Sequence, residues 1–184
     1  MIIVASVRPG RLGLPIANWA STELAAHPDL EIDFVDLAEL ALPFMDEPNH
    51  PRLHQYEHDH TKAWSARVTA ADAFVFVTPE YNHGYAPALK NALDFLSREW
   101  FRKPISFISY GGVSAGTRGV VLLEPTLVNL GMVVTAARVE LNFAAKQLND
   151  DNEFEPTELQ RASIAAIAAE LGALSSALAP LQLR

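Results

Sequence analysis

Ala73-Phe74-Val75-Phe76-Val77, then Thr78-Pro79-Glu80-Tyr81-Asn82-His83-Gly84, then an amphipathic segment from Tyr85 to Ser97, form a strand–loop–helix signature. A strand covered on both faces of a sheet reads as a near-continuous apolar run with β-branched and aromatic residues. The turn formers after it end the strand, and the amphipathic segment carries the chain back across the sheet. Ligands of open α/β sheets bind just beyond the carboxyl ends of strands. Tyr81, Asn82 and Gly84 in that loop are therefore candidates to hold a flat molecule with polar edges.

Working outward, the same alternation recurs. Ile2 to Ser6 reads as a strand and Leu14 to Ala26 as a helix, with Pro15 tolerated in its first turn. Residues 31–36 alternate polar and apolar, as in an edge strand. Residues 37–52 read as a long loop with Pro43, Pro48 and Pro51, and Leu53 to Ala71 as a helix. Pro104 opens a fourth strand over Ile105 to Ser109. A helix over Thr117 to Leu130 follows, closed by Gly131 as a C-terminal cap. A fifth strand falls within Met132 to Leu141. Residues 143–154 read as a loop, and Pro156-Thr157-Glu158 starts a last, Ala-rich helix over Leu159 to Leu178. Strands alternating with helices imply parallel pairing through right-handed crossovers. The expected fold is α/β, a doubly wound five-stranded parallel sheet in the flavodoxin-like order 2-1-3-4-5, with helices on both faces and one domain over residues 1–184.

Composition bounds the function. The 184 residues suit one domain with a full core. The net charge of −8 argues against general nucleic-acid binding, which needs a basic footprint. Cysteine is absent, which excludes disulfides, thiol nucleophiles and thiolate metal sites. Met1 leads straight into Ile2-Ile3-Val4-Ala5 without a basic leader, so no signal peptide is expected. No apolar stretch is read as reaching the roughly 20 residues of a membrane helix. These features together fit the cytoplasm.

Three loops follow consecutive sheet strands at the ligand-binding edge. In the first, Ser6 offers a hydroxyl, Arg8 and Arg11 offer guanidinium forks, and Gly10 and Gly13 allow close backbone approach. The loop leads into a helix, whose N-terminal backbone N–H groups attract anions. It is neither a P-loop nor a GxGxxG fingerprint, and a solvated turn with two surface arginines is the plain alternative. In the second loop, Tyr81, Asn82 and Gly84 are the candidates to hold a ligand, with Asn82 also read as capping the next helix. In the third, Ser109-Tyr110-Gly111-Gly112 places two adjacent glycines whose N–H groups suit a carbonyl or developing anion. An αL turn is the alternative there.

These residues resemble the NAD(P)H-dependent FMN reductases of the flavodoxin-like superfamily, which include quinone, azo and chromate reductases. Their first motif, about Gly-Ser-x-Arg-x-Gly-Arg/Ser, stands here as Ala5-Ser6-Val7-Arg8-Pro9-Gly10-Arg11, with Ala5 in place of Gly. Pro-Glu-Tyr-Asn is intact at Pro79 to Asn82, Leu89 to Asp94 matches family usage, and Ser109 to Gly112 matches the third segment. The resemblance covers roughly residues 1–140. It implies one FMN per chain and NADPH or NADH as co-substrate. Ser6, Arg8, Arg11, Leu12 and Gly13 would take its phosphate. Pro79, Glu80, Tyr81 and Asn82 would line the ribityl chain and ring edge, and Ser109, Tyr110, Gly111 and Gly112 the other side of the ring. It implies a ping-pong cycle delivering two electrons to a quinone, flavin or similar small acceptor, with no catalytic side chain. It also implies a homodimer or dimer of dimers, in which Trp100 and Phe101 are either core or interface.

Two other readings differ in class. A flavodoxin-like electron carrier would bind the same cofactor without reductase turnover, but Arg8 and Arg11 depart from the Ser/Thr-rich carrier loop. A metal-dependent hydrolase is prompted by His50, His54, Glu57, His58, Asp59 and His60, where His54 and His58 would share a helix face. His-Glu-x-x-His is absent, and a solvated polar face is the plain alternative.

Overall fold

Residues 1–182 are described by a computed structural model. The described residues form six strands, β1 (Ile2–Val4), β2 (Phe34–Asp36), β3 (Phe74–Pro79), β4 (Pro104–Gly111), β5 (Val133–Val134) and β6 (Val139–Asn142), and six α-helices. The helices are α1 (Gly13–Ala25), α2 (Leu37–Leu40), α3 (Asp59–Ala70), α4 (Pro87–Asp94), α5 (Thr117–Asn129) and α6 (Glu158–Leu178). The sheet runs β2-β1-β3-β4-β5, parallel throughout, with β6 pairing the distal half of β4. That is the doubly wound order expected from the sequence.

Alternation along each strand divides the core in two. Ile3, Phe74, Phe76, Ile105 and Phe107 face α3, α4 and α5, where Trp64 and Trp100 complete an aromatic cluster. Ile2, Val4, Val75, Val77, Ile108 and Tyr110 face α1 and α6 and meet Ile16, Trp19, Ile164, Ile167 and Leu171. Each buried aromatic or aliphatic side chain contributes about 1.5–3 kcal/mol from burial alone. The indole N–H groups of Trp64 and Trp100 donate to the Ala92 and Leu93 carbonyls at 2.9 and 3.2 Å. Of the two aromatics left open between core and interface, Trp100 is core, while Phe101 is half-buried with its ring over Gly131. Gly131, at φ +77°, closes α5 as expected.

Several boundaries differ from expectation. The fifth strand is split: Thr135 N–H still donates to Ile105 O at 2.9 Å, but Ala136 and Ala137 leave the ladder. Their backbone groups are taken by side chains instead: the Ser106 hydroxyl donates to Ala137 O at 2.7 Å, and Ala136 and Ala137 N–H donate to the Glu170 carboxylate at 3.0 and 2.7 Å. The helix expected from Leu53 begins only at Asp59. Pro51–Leu53 forms a 3-10 turn, His54 is left-handed at φ +53°, and Glu47 accepts from the Glu57 and His58 N–H groups just ahead of α3. His54 and His58 therefore share no helix face. His58 and His60 stack and turn toward Asp46, and among the described residues no group of three His, Asp or Glu converges as a ligand set. The expectation that no stretch suits a membrane helix is also corrected. Glu158–Leu181 is 24 residues and contains an 18-residue stretch of mean hydropathy 1.6, long and apolar enough by length and composition to span. Alanines raise that value, while Ile164, Ile167 and Leu171 pack against the sheet.

Candidate functional site

The carboxyl ends of β1 and β3 bracket a cleft of about 520 Å³ lined by Ala5, Val7, Arg8, Glu80, Tyr81, Asn82, Ala86, Pro87 and Ala88. Its volume lies in the range of about 300–1,000 Å³ usual for small-molecule and cofactor sites. A second, apolar cleft of about 510 Å³ shares Val7, Pro87 and Ala88 with it and continues over Leu37, Leu42, Pro43, Phe44 and Asn91. The two form one groove across the sheet edge.

The first loop supplies the polar end. Ala5 is buried in the core, so its methyl group fits where the family has glycine. Ser6 is fully buried and its hydroxyl has no partner. Helix α1 starts without a side-chain cap, leaving its first-turn N–H groups to other acceptors. Gly13 is the point of closest approach. A Cβ there would sit 2.3 Å from Ser6 Oγ and 2.7 Å from the Tyr110 hydroxyl. Arg8 is exposed at the rim. Arg11 is ion-paired with Asp36 at the end of β2, while its Nε is buried without a partner. Asp36 in turn caps α2 through Ala38 N–H at 2.9 Å. Leu12 packs against the α1/α6 core.

The second loop is a tight hairpin. Tyr81 and Gly84 exchange backbone hydrogen bonds of 2.9 and 2.8 Å around Asn82 and His83, both at positive φ. Two left-handed central residues match the twist of the flanking chain. Asn82 therefore occupies the turn and does not cap α4, whose N-cap is Ala86. Burial pushes the Tyr81 hydroxyl pKa up, against the pull of the nearby Arg8 and Arg11 charges. Pro79 is buried as the last residue of β3. Glu80 is a brace. Its carboxylate accepts from Ser114 Oγ and Arg118 Nε, both at 2.7 Å, tying the second loop to the third. Burial raises the Glu80 pKa, but these hydrogen bonds and the Arg118 charge outweigh it and hold the carboxyl below its ordinary value.

The third loop differs most from expectation. Ser109 turns inward, donating to Ala115 O at 2.9 Å. Gly111 ends β4, with its carbonyl accepting from Phe143 N–H, and Gly112 is exposed. The left-handed residues are Ala115 and Gly116, not the paired glycines. Tyr110 points to the α1 side, under the first loop, and is 6% exposed. The sheet alternation explains this: Ser109 and Tyr110 are consecutive strand residues and must face opposite sides.

Three contributing residues were not singled out from sequence. Asp36 had a positional signal, since it ends a strand at the ligand edge. Arg118 had none, and Asn91 only its place in the family-like Leu89 to Asp94 segment, because each acts through a partner distant in sequence. Asn91 accepts from Met45 N–H at 3.0 Å and donates to Pro43 O at 2.7 Å, pinning residues 43–45 beside the apolar cleft.

Comparison with known proteins identifies a family and a fold. A sequence profile of the NADPH-dependent FMN reductases matches residues 1–146. An NAD(P)H-dependent FMN reductase of Schizosaccharomyces pombe is 43% identical over 118 residues, covering 63% of this chain and 59% of that protein. One from a Nectria species is 37% identical over 150 residues, covering 78% and 75%. Less than two thirds of the Schizosaccharomyces protein is thus spanned. Among solved structures, the flavoenzyme NAD(P)H:(acceptor) oxidoreductase FerB of Paracoccus denitrificans superposes with a TM-score of 0.74 at 21% identity, covering 94% of this chain and 96% of that one. That likeness bears on fold.

Proposed function

The chain belongs to the NADPH-dependent FMN reductase family, and from that premise we propose that it is an NAD(P)H-dependent oxidoreductase that holds one FMN in the groove at the carboxyl edge of its sheet. The observation that carries this reading is a pair of buried, unpartnered hydroxyls at the start of α1, Ser6 Oγ and Tyr110 Oη, both within 3 Å of where a Gly13 side chain would begin, with Arg11 Nε of the same loop also buried and unpartnered. Burying a polar group without a partner costs about 1–3 kcal/mol. A phosphate at a helix N-terminus is the acceptor that such donors fit.

Bound FMN supplies the redox chemistry, accepting a hydride from a nicotinamide and delivering two electrons to an acceptor. The chain's own residues bind and orient. Ser6, Arg8 and the α1 N–H groups hold the phosphate, with Arg11 shared between it and Asp36. The Tyr81–Gly84 hairpin walls the polar cleft, and Glu80 fixes that wall against α5 through Arg118. Val7, Leu42 and Phe44 exclude water and accept a flat apolar ring, as expected for a quinone, a flavin or a similar acceptor. Donor and acceptor use this one groove in turn, which gives a ping-pong cycle. No side chain serves as acid, base or nucleophile. Phe44, 89% exposed beside the groove, suits burial in a homodimer. NADPH and NADH both suit the reading.

The test begins with the visible spectrum of the purified protein, where bands near about 370 and 450 nm mark bound flavin. NADPH or NADH oxidation is then followed with a panel of quinones and free flavin. Bound flavin with no nicotinamide oxidation, under any acceptor, would transfer the assignment to an electron carrier. Protein that stays colourless after incubation with excess FMN would end it.

A further inference from the structure

Tyr110 lies within the α1/α6 core, on the side of the sheet away from the hairpin wall. Its hydroxyl and that of Ser6 both sit within 3 Å of the place a Gly13 side chain would begin, at 2.7 and 2.3 Å. Both side chains are more than nine-tenths buried, at 6% and 0% exposure. The Ser6 hydroxyl and Gly13 N–H lie against the phenol oxygen and oppose the effect of its burial, yet neither hydroxyl closes a hydrogen bond of normal geometry.

Two buried hydroxyls side by side have two protons to donate. If Tyr110 donates to Ser6 Oγ, the Ser6 proton must go elsewhere, and the mouth of the first loop is where an acceptor can stand. Gly13 N–H can supply the phenol oxygen from the other side. Every member is then satisfied once an acceptor at that mouth takes the last proton, and each hydrogen bond in such a chain polarises the next, which favours a charged acceptor such as a phosphate oxygen.

We infer that Tyr110 is a positioning residue for the phosphate of the flavin, acting from beneath the first loop by orienting the Ser6 hydroxyl, and that it thereby selects phosphorylated flavin over riboflavin. This rests on the proposed FMN site and assigns that site's discrimination to a side chain that does not touch the ring. It replaces the ring-contact role expected for Tyr110 from sequence.

The experiment compares FMN and riboflavin, which differ by the phosphate alone, titrated into flavin-free protein by fluorescence quenching. Tyr110→Phe keeps the ring and its packing and removes the hydroxyl. Its FMN dissociation constant is expected to rise about three- to tenfold, the scale of one hydrogen bond between neutral groups, with riboflavin binding unchanged. Ser6→Ala should cost FMN at least as much, and Tyr110→Phe should add little on top of it, since the phenol acts through that hydroxyl. Wild-type binding of FMN with an unchanged FMN-to-riboflavin ratio in Tyr110→Phe overturns the inference alone. So does an equal loss for both ligands, which marks general loosening, or full additivity with Ser6→Ala. Wild-type protein that binds neither flavin overturns the FMN site and the inference together.

Discussion

Replacing Gly13 with alanine sets two physical effects against each other with opposite signs. Gly13 is the first residue of α1 and is not among the positive-φ glycines, so its backbone already suits alanine. Helix propensity alone predicts a gain of about 1 kcal/mol. The new methyl carbon, however, would lie 2.3 Å from Ser6 Oγ, 2.7 Å from Tyr110 Oη and 3.3 Å from Val4 Cγ1. Ser6 can rotate one torsion to escape. The Tyr110 hydroxyl stands at the end of a rigid ring wedged between α1 and β4, so the ring or the helix must shift. Overpacking of this kind costs about 1–3 kcal/mol. The expected net is a destabilisation of about 1 kcal/mol, or roughly 0.5 M in urea midpoint at an m-value near 2 kcal/mol/M. The same displacement breaks the donor set for the phosphate. FMN affinity should therefore fall by roughly ten- to hundredfold, the equivalent of one hydrogen bond to a charged group. Urea denaturation followed by circular dichroism, paired with flavin titration, reads both quantities. Adding Ser6→Ala removes the shortest contact and should return part of the stability but none of the affinity. A Gly13→Ala protein that is more stable than the parent and binds FMN equally well would refute the crowding argument and the closeness of the two hydroxyls.

Three further outcomes are expected. Arg11→Ala should weaken FMN binding by roughly 1.5–3 kcal/mol in a titration; unchanged affinity would assign the guanidinium wholly to Asp36. Glu80→Gln should loosen the join between the second and third loops. The Glu80 carboxyl is held below its ordinary value of 4.5, so its contribution is complete above that pH and is lost as pH falls through its folded pKa. The variant should therefore show a shallower acid-side loss of stability, read from urea midpoints between about pH 5 and 3, and an unchanged slope would count against the brace. Asn91→Ala removes both ties to residues 43–45. Freeing that segment should raise the KM for a quinone acceptor severalfold while the bound-flavin absorbance stays the same. A spectrum that changes instead would place Asn91's effect on the cofactor.

The legible parts of the site were those encoded by local sequence. A turn must contain turn formers and a helix start leaves N–H donors without intrahelical acceptors, so Ser6 to Gly13 and Pro79 to Gly84 could be picked out in order. What each side chain does there was less legible. Glu80 sits in the motif but spends its carboxylate on Ser114 and Arg118, 34 and 38 residues away. Tyr110 sits in the third segment but serves the first loop, because strand alternation turns it to the opposite face from Ser109. The His-rich segment suggested a shared helix face until Pro51 and the left-handed His54 moved the start of α3 to Asp59.

The sequence by itself determined the alternation of strands and helices, hence parallel pairing and the order 2-1-3-4-5, because apolar periodicity and crossover handedness leave little choice. It also determined which loops meet at the ligand edge. Only the tertiary structure decided which donors remain free there. Arg11 meets Asp36, Glu80 meets Arg118, and the Ser6 and Tyr110 hydroxyls are left unpartnered. Those pairings depend on side-chain distances across separate elements, and such distances follow from packing rather than from spacing along the chain.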